Sequence, residues 1–325
     1  MNVLVTGACG LLGAHLMTAF GRRHTVLGVD RHPWWGDQPA TLLQGDLCDA
    51  RVIDTAVKQV RPDLLLHCAG WVNVEACERD PKGAFAANTE MTRDIVRAVG
   101  RACRVVYVTT DGIFTGTSAF ATEEQSPAPR TVYGQSKLLG EQVVMEVNSN
   151  HLIIRTNFYG WSSGRKPTFA EWLYHALEQG SPITLFNDFF FSPIYVVDFV
   201  ERLEALVNGG HRGIFHLCGK DRLSKGAFGR RLAEAAGFSL RHVQWGTLKD
   251  APLIAPRPRD MSLDSGKFCR TTGLDVPGCT EGVQRFLRDR GHPLSQQFSP
   301  TPPQAPTRAS AQTAISASAQ PWDAS

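Results

Sequence analysis

Asn2-Val3-Leu4-Val5-Thr6-Gly7-Ala8-Cys9-Gly10-Leu11-Leu12-Gly13 decides the fold of this chain. Its first five residues are an apolar, β-branched run, the composition of a buried strand. Glycine then recurs at every third position, where the strand gives way to a helix. Glycines permit the tight turn and a close approach of backbone to a pyrophosphate, and a helix N-terminus offers unpaired N–H groups and the positive end of its dipole. The pattern predicts a strand, turn and helix that hold a dinucleotide through Gly7, Gly10, Leu11, Leu12 and Gly13.

The segments that follow extend this reading. Val26 to Val29 reads as a second strand ending at Asp30, an acidic residue placed to bind a ribose 2′-hydroxyl, which favours NAD. Arg31 beside it suits the 2′-phosphate of NADP, so dual use stays open. Leu42 to Leu47 is a short strand ending in a loop whose Asp46 and Leu47 are placed to flank an adenine. Asp63 to His67 is a buried strand running into Cys68, Ala69 and Gly70, small residues that leave room for a cofactor ribose. Arg104 to Val108 delivers Thr109, Thr110 and Asp111 at its carboxyl end, where ligands sit in open α/β sheets.

Tyr133-Gly134-Gln135-Ser136-Lys137 supplies a candidate reaction centre. Residues four apart share one face of a helix, so the Tyr133 phenol and Lys137 ammonium are expected to point into one site. A nearby cation favours phenolate and is expected to lower the tyrosine pKa toward the working pH, as a proton donor to a developing alkoxide requires.

In order and spacing these motifs resemble the extended short-chain dehydrogenase/reductases, and within them the dTDP-4-dehydrorhamnose reductase branch. The resemblance rests on Gly7/Gly10/Gly13, Gly45-Asp46-Leu47, His67-Cys68-Ala69-Gly70, Asn88, Val108 to Phe114, Tyr133/Lys137, Arg155-Thr156-Asn157-Phe158, Ser192-Pro193 and Arg257-Pro258, and covers roughly residues 1 to 290. It implies a catalytic Thr/Tyr/Lys triad on Thr110, Tyr133 and Lys137, with Thr109 the nearest competitor for the first role. Thr109, Tyr133 and Lys137 would also touch the cofactor. A nucleotide-linked 4-keto-6-deoxy sugar would meet Thr110, Asp111, Asn157, Phe158 and Arg257. Gly112 stands where many members carry Tyr, Phe158 where many carry Trp, and Met261 at a position that is usually polar, so the chemistry is better marked than the sugar. Two other readings share the pattern. One is an NAD-retaining sugar-nucleotide epimerase or dehydratase. The other is a non-catalytic dinucleotide-binding subunit resembling the regulatory subunit of methionine adenosyltransferase.

Strands and helices alternate to about residue 155, which predicts a Rossmann-type, doubly wound parallel sheet over residues 1–160, with 190–218 packing back on it. Residues 161–295 are expected to form mainly a smaller substrate-binding lobe. Residues 296–325, rich in Pro, Ala, Ser, Thr and Gln, lack the large apolar groups needed to offset their ordering entropy and read as a disordered tail.

Composition narrows the partners. A net charge of +3 gives no reason to expect nucleic acid. No apolar run reaches the length of a membrane span, and eight cysteines without paired-ligand spacing point to a reducing, cytoplasmic setting with no metal site. A homodimer stays open. Several side chains also have plainer readings: His67 as the satisfied end of a buried strand, Asn88 as structural support, Trp34 and Trp35 as loop packing, and Phe189-Phe190-Phe191 as core.

Overall fold

The computed structural model describes residues 1–298 except 39, 164, 165 and 252. At its centre lie β1 (Asn2–Thr6), β2 (Thr25–Asp30), β3 (Thr41–Gln44), β4 (Leu64–His67), β5 (Arg104–Thr110) and β6 (His151–Thr156). A seventh strand, Gly213–His216, completes the sheet, whose order is β3-β2-β1-β4-β5-β6 and then Gly213–His216. All of its pairings are parallel. The reversal of direction between β1 and β4 is the topological switch point at which doubly wound sheets bind ligands.

Two layers of helix cover this sheet, and side-chain alternation along each strand assigns residues to them. Val3, Val5, Val106 and Val108 face α1 (Leu11–Gly21) and the helix Val196–Asn208, burying Leu12, Leu16, Phe20, Phe199 and Leu203. Leu4, Val105 and Tyr107 face the other layer, built from α2 (Ala50–Val60), α5 (Met91–Val99) and α6 (Val132–Val147). Between α2 and α5 lie the short helices α3 (Val74–Arg79) and α4 (Pro81–Phe85).

Between α4 and α5 the helical run is interrupted by a π-helical turn at Ala86–Glu90. Asn88 sits in that turn and clamps Trp71, accepting its N–H at 2.7 Å and donating to its carbonyl at 3.1 Å. The wide turn brings the amide to a loop that a regular helix would pass by, and such bulges recur at functional sites.

The remaining elements gather beyond the carboxyl ends of β5 and β6. They include the helices Phe169–Glu178, Lys225–Ala236 and Cys279–Arg288, and a small sheet in which Phe190–Phe191 pairs with Leu223–Ser224 and Asp260–Met261. The strand Ile183–Phe186 pairs in parallel with Val243–Gly246.

The tail boundary needs correction. Gln297 and Phe298, expected to begin a disordered segment, are 4% and 8% exposed. The Gln297 side chain meets His15 of α1 at 3.0 Å, and Phe298 packs edge-on against the same ring. Two residues with apolar or hydrogen-bonded anchors thus escape a composition argument that holds only for averages. Residues 299–325 of that expected tail lie outside the described residues.

Candidate active site

The glycine turn is built by its neighbours. Gly7 has φ of 69°, and its N–H donates to the Val29 carbonyl at 3.0 Å. A Cβ on Gly13 would lie 2.0 Å from the Gly7 carbonyl oxygen, so only glycine lets α1 start this close to β1. Gly10 is the N-cap of α1 and supplies no side-chain cap, which leaves the helix dipole open toward the turn. These residues fit a dinucleotide pyrophosphate: the cradle is backbone-lined, and the space a side chain would occupy is taken by another stretch of main chain.

Asp30 does more than the sequence reading asked of it. Its Oδ2 accepts the Cys9 N–H and its Oδ1 the His32 N–H, both at 2.9 Å, so the carboxylate ties the glycine turn to β2. Arg31 is exposed and lies 3.8 Å from Asp46. Asp46 accepts the Cys48 N–H at 2.9 Å, and Leu47 is buried. Trp35 lies against the same turn and donates its indole N–H to the Cys9 carbonyl.

Across the switch point, β4 ends at His67. Its Nδ1 lies 2.6 Å from the Thr6 hydroxyl and its Nε2 2.9 Å from that of Thr92, and burial drives its pKa down to about 3. His67 is therefore a neutral brace, with Cys68, Ala69 and Gly70 next to it. Burial pushes the Cys68 thiol up to about 12. A Cβ on Gly70 would meet the Asn88 side chain at 2.8 Å and Lys137 Nζ at 3.9 Å.

Thr131 caps α6 by accepting the Gly134 N–H at 3.0 Å, which fixes Tyr133 in the first turn. Gly134 lets that turn approach β5 closely, because a Cβ there would sit 2.4 Å from the Gly112 carbonyl oxygen. Tyr133 is thereby set near Thr110, whose side chain bears on the ionisation of the phenol. Thr110 donates to Asp111 Oδ1 and accepts the Gly112 N–H, both at 3.1 Å, and Asp111 Oδ2 accepts from Asn157 at 2.7 Å. A hydrogen-bonded chain thus runs from Asn157 through Asp111 to Thr110, with Tyr133 near its end.

Lys137 departs from expectation. It is 4% exposed, and its ammonium donates to the Val108 carbonyl at 3.0 Å while lying 4.2 Å from the centre of the Tyr107 ring. Burial lowers its pKa to about 8, against the pull of Glu141 and Cys68. The Tyr133 pKa is raised, first by burial and then by the negative charge of Asp111, with the Thr110 hydrogen bond opposing them. The expected lowering of the Tyr133 pKa by Lys137 is overturned here, because desolvation outweighs every group acting on the phenol.

Thr110 and Thr109 occupy opposite sheet faces. Thr110 continues the face of Val106 and Val108, whereas Thr109 is 5% exposed with no hydrogen-bond partner for its hydroxyl among the described residues. Phe158 is half-buried and leans on Phe199 at 5.7 Å.

Arg257 lies apart from this network. It pairs with Glu75 at 2.9 Å and lines a cavity of about 490 Å³ together with Gly116, Thr117, Arg130, Arg222 and Arg259. Arg222 stacks on Phe190 at 3.7 Å and pairs with Asp260 at 2.7 Å. Sequence reasoning singled out Arg257; Arg130 and Arg222 carried no local signal, being single cations in loops. It also passed over Lys225, whose ammonium bears on Asp111.

Among the described residues, no group of three or more His, Cys, Asp or Glu side chains is placed to hold a metal, and no helix is long and apolar enough to cross a membrane. The eight cysteines are free thiols.

Fold and site together define the class, an NAD(P)-dependent oxidoreductase of the short-chain dehydrogenase/reductase type. The chain belongs to the RmlD substrate binding domain family, whose model matches residues 1–291. It is 29% identical to the probable low-salt glycan biosynthesis reductase Agl14 of Haloferax volcanii, over 85% of this chain and 94% of that one. It is 25% identical to the dTDP-4-dehydrorhamnose reductase of Escherichia coli K12, over 89% and 98% respectively. Among solved structures, dTDP-4-dehydrorhamnose reductase from Bacillus anthracis in complex with NADP superposes with a TM-score of 0.79 at 24% identity, covering 88% of this chain and 98% of that one.

Proposed function

We propose that the protein reduces the keto group of a nucleotide-linked 4-keto-6-deoxy sugar, in the manner of a dTDP-4-dehydrorhamnose reductase. The observation that carries this reading is the hydrogen-bonded chain Asn157–Asp111–Thr110 at the carboxyl end of β5, with Tyr133 near its end. Its support among relatives is the 25% identity to the Escherichia coli reductase over nearly its whole length.

Gly7, Gly10, Leu11, Leu12 and Gly13 would hold the pyrophosphate of NAD(P)H. Asp30 and Arg31 would meet the adenosine ribose, Asp46 and Leu47 the adenine, and Cys68, Ala69, Gly70 and Lys137 the nicotinamide half. When bound, the reduced dinucleotide supplies the hydride. Thr110 holds the carbonyl oxygen, and Tyr133 gives that oxygen its proton. The raised Tyr133 pKa keeps the phenol protonated at neutral pH, as a donor must be. Asp111 accepts the Thr110 O–H until the sugar's carbonyl replaces it, and Asn157 in turn orients Asp111.

Residues 161–295 would form the substrate lobe, with the cluster of Arg130, Arg222, Arg257 and Arg259 facing the diphosphate. The free thiols suit the cytoplasm.

Loss of reduced-nicotinamide absorbance on mixing the protein with NADH or NADPH and nucleotide-linked 4-keto sugars tests the reading. Oxidation that requires both the sugar and Tyr133 supports it. Dinucleotide binding without oxidation of any keto sugar refutes it, and would turn attention to a binding role.

A further inference from the structure

Glu75, in the first turn of α3, receives a segment from far along the chain. Its Oε2 accepts the N–H groups of Ile254 at 3.0 Å and Ala255 at 3.3 Å, and its Oε1 accepts from Arg257 at 2.9 Å. The other side of that segment is fixed too. A Cβ on Gly116 would lie 2.3 Å from Pro258 Cβ, and the Arg259 carbonyl accepts the Phe190 N–H at 2.7 Å. Arg257 thus stands where a strap passes from α3 to the small sheet. Its single Nη2 contact with Glu75 leaves the rest of the guanidinium to the cavity it lines.

One turn along α3, Glu78 Oε2 accepts the Val132 N–H at 3.1 Å. Val132 opens α6 and adjoins Tyr133. The first N–H groups of a helix have no partner within it, so a side chain that takes one fixes where the helix begins. Residues three apart are neighbours on a helix surface, so Glu75 and Glu78 leave α3 side by side, one to the strap and one to α6. The helix itself is held: Asn73 caps it by accepting the Ala76 N–H at 3.0 Å, and Asn88 clamps the Trp71 that precedes it. An exposed ion pair alone contributes little. Here one carboxylate takes three bonds, two of them from main chain, and the Glu75 and Arg257 side chains are only 24% and 18% exposed.

We propose that Glu75 and Glu78 are positioning residues: through α3 they register the arginine cavity against Tyr133, so that a nucleotide diphosphate gripped at Arg257 presents its sugar to the proton donor. This rests on the reductase reading above, which puts the diphosphate at the arginines and the carbonyl at Thr110.

The two ties predict different losses. Glu75→Ala frees the strap, so KM for a nucleotide-linked 4-keto-6-deoxyhexose and the calorimetric Kd of dTDP or UDP should both rise roughly tenfold, with kcat nearly unchanged. Glu75→Gln keeps an acceptor for the two main-chain N–H groups and should lose less. In an Arg257→Met background Glu75→Ala should add little, because the two residues act as one unit. Glu78→Ala should lower kcat roughly 10- to 100-fold, the scale of a small misplacement, and leave the nucleoside diphosphate Kd unchanged. Melting temperature and dinucleotide affinity should be preserved throughout. Unchanged or tighter dTDP and UDP binding by Glu75→Ala, additive losses in the double variant, or parallel loss of KM and kcat in both alanine variants would overturn the positioning role while leaving the reductase reading intact. A wild-type protein that reduces no keto sugar would overturn both.

Discussion

Lys137 Nζ sits 3.0 Å from the Val108 carbonyl, so the lysine that follows Tyr133 by one helical turn is anchored to β5. Its charge is held by a backbone dipole and by the Tyr107 ring, leaving Tyr133 to interact with Thr110. The two residues therefore make separable contributions. Tyr133→Phe removes only the phenolic hydroxyl, so turnover should fall by roughly 10²- to 10⁴-fold, the range for general acid catalysis. Dinucleotide affinity, read by fluorescence titration, should be preserved. Parallel loss of both would place Tyr133 in the cofactor cradle rather than at the carbonyl.

The pH dependence of dinucleotide binding should follow Lys137. Burial lowers its pKa to about 8, so the ammonium is present at pH 6.5 and largely lost at pH 9.5. Affinity should weaken as pH rises through about 8, and Lys137→Met should show weak, pH-independent binding. A wild-type affinity that is flat from pH 6.5 to 9.5 would remove Lys137 from the cofactor site.

What the sequence made legible is local or periodic. The β1 turn announces itself because three glycines follow an apolar run, and the Thr110–Asp111 pair because it ends the β5 strand. Alternating strands and helices determine the parallel sheet, and Gly213–His216, within the segment expected to pack back on it, takes the edge beside β6. The rest depends on contacts between distant segments. Lys225 looks like an ordinary helix start, and only the packed structure sets it among Phe169, Phe189 and Phe191. Pattern likewise said nothing of the π-turn at Ala86–Glu90, because Asn88 and its Trp71 partner are joined through a loop. The sign of the Tyr133 shift escaped for a related reason: spacing gives proximity along a helix, whereas desolvation depends on the whole surroundings.

Acid should destabilise the protein through two buried histidines. His67 and His216 are both fully buried, and burial is the first cause holding each near a pKa of about 3. In the unfolded chain each would titrate near 6.5. A folded pKa below the unfolded one means that the unfolded state takes up protons first, so stability is full above pH 6.5 and is lost as pH falls toward 3. At pH 4.5 the loss should be roughly 2–3 kcal/mol for each histidine. Urea unfolding at pH 7.5 and 4.5 checks this, and His67→Gln should reduce the difference. Equal stability at the two pH values would mean that these rings stay charged or find solvent.

Cofactor preference should divide between neighbours in β2 and its following loop. Asp30 is engaged by the Cys9 and His32 N–H groups, whereas Arg31 is exposed with only a 3.8 Å pairing to Asp46. If Arg31 meets a 2′-phosphate, Arg31→Ala should weaken NADPH by roughly tenfold and leave NADH nearly unchanged. Asp30→Asn should disturb both, because it loosens the glycine turn itself. Competition titrations with the two dinucleotides would separate these outcomes, and equal weakening of both by Arg31→Ala would exclude a phosphate-reading role.

The closest packing in the cradle gives the sharpest stability contrast. A Cβ on Gly13 would fall 2.0 Å from the Gly7 carbonyl oxygen and 2.8 Å from the Ala8 Cα, all of it main chain that cannot swing aside. Gly21, at the far end of the same helix, has nothing within 4 Å of the corresponding position. Gly13→Ala must push α1 off β1, at an expected cost of roughly 2–3 kcal/mol from overpacking, together with loss of dinucleotide binding. Gly21→Ala should be neutral or stabilising by up to about 1 kcal/mol, since alanine loses less backbone entropy in a helix. Denaturant melts of both variants, with dinucleotide titrations alongside, test the pair. A Gly13→Ala protein as stable as wild type and still competent to bind would mean that the turn and helix are not held in the contact on which the pyrophosphate site depends.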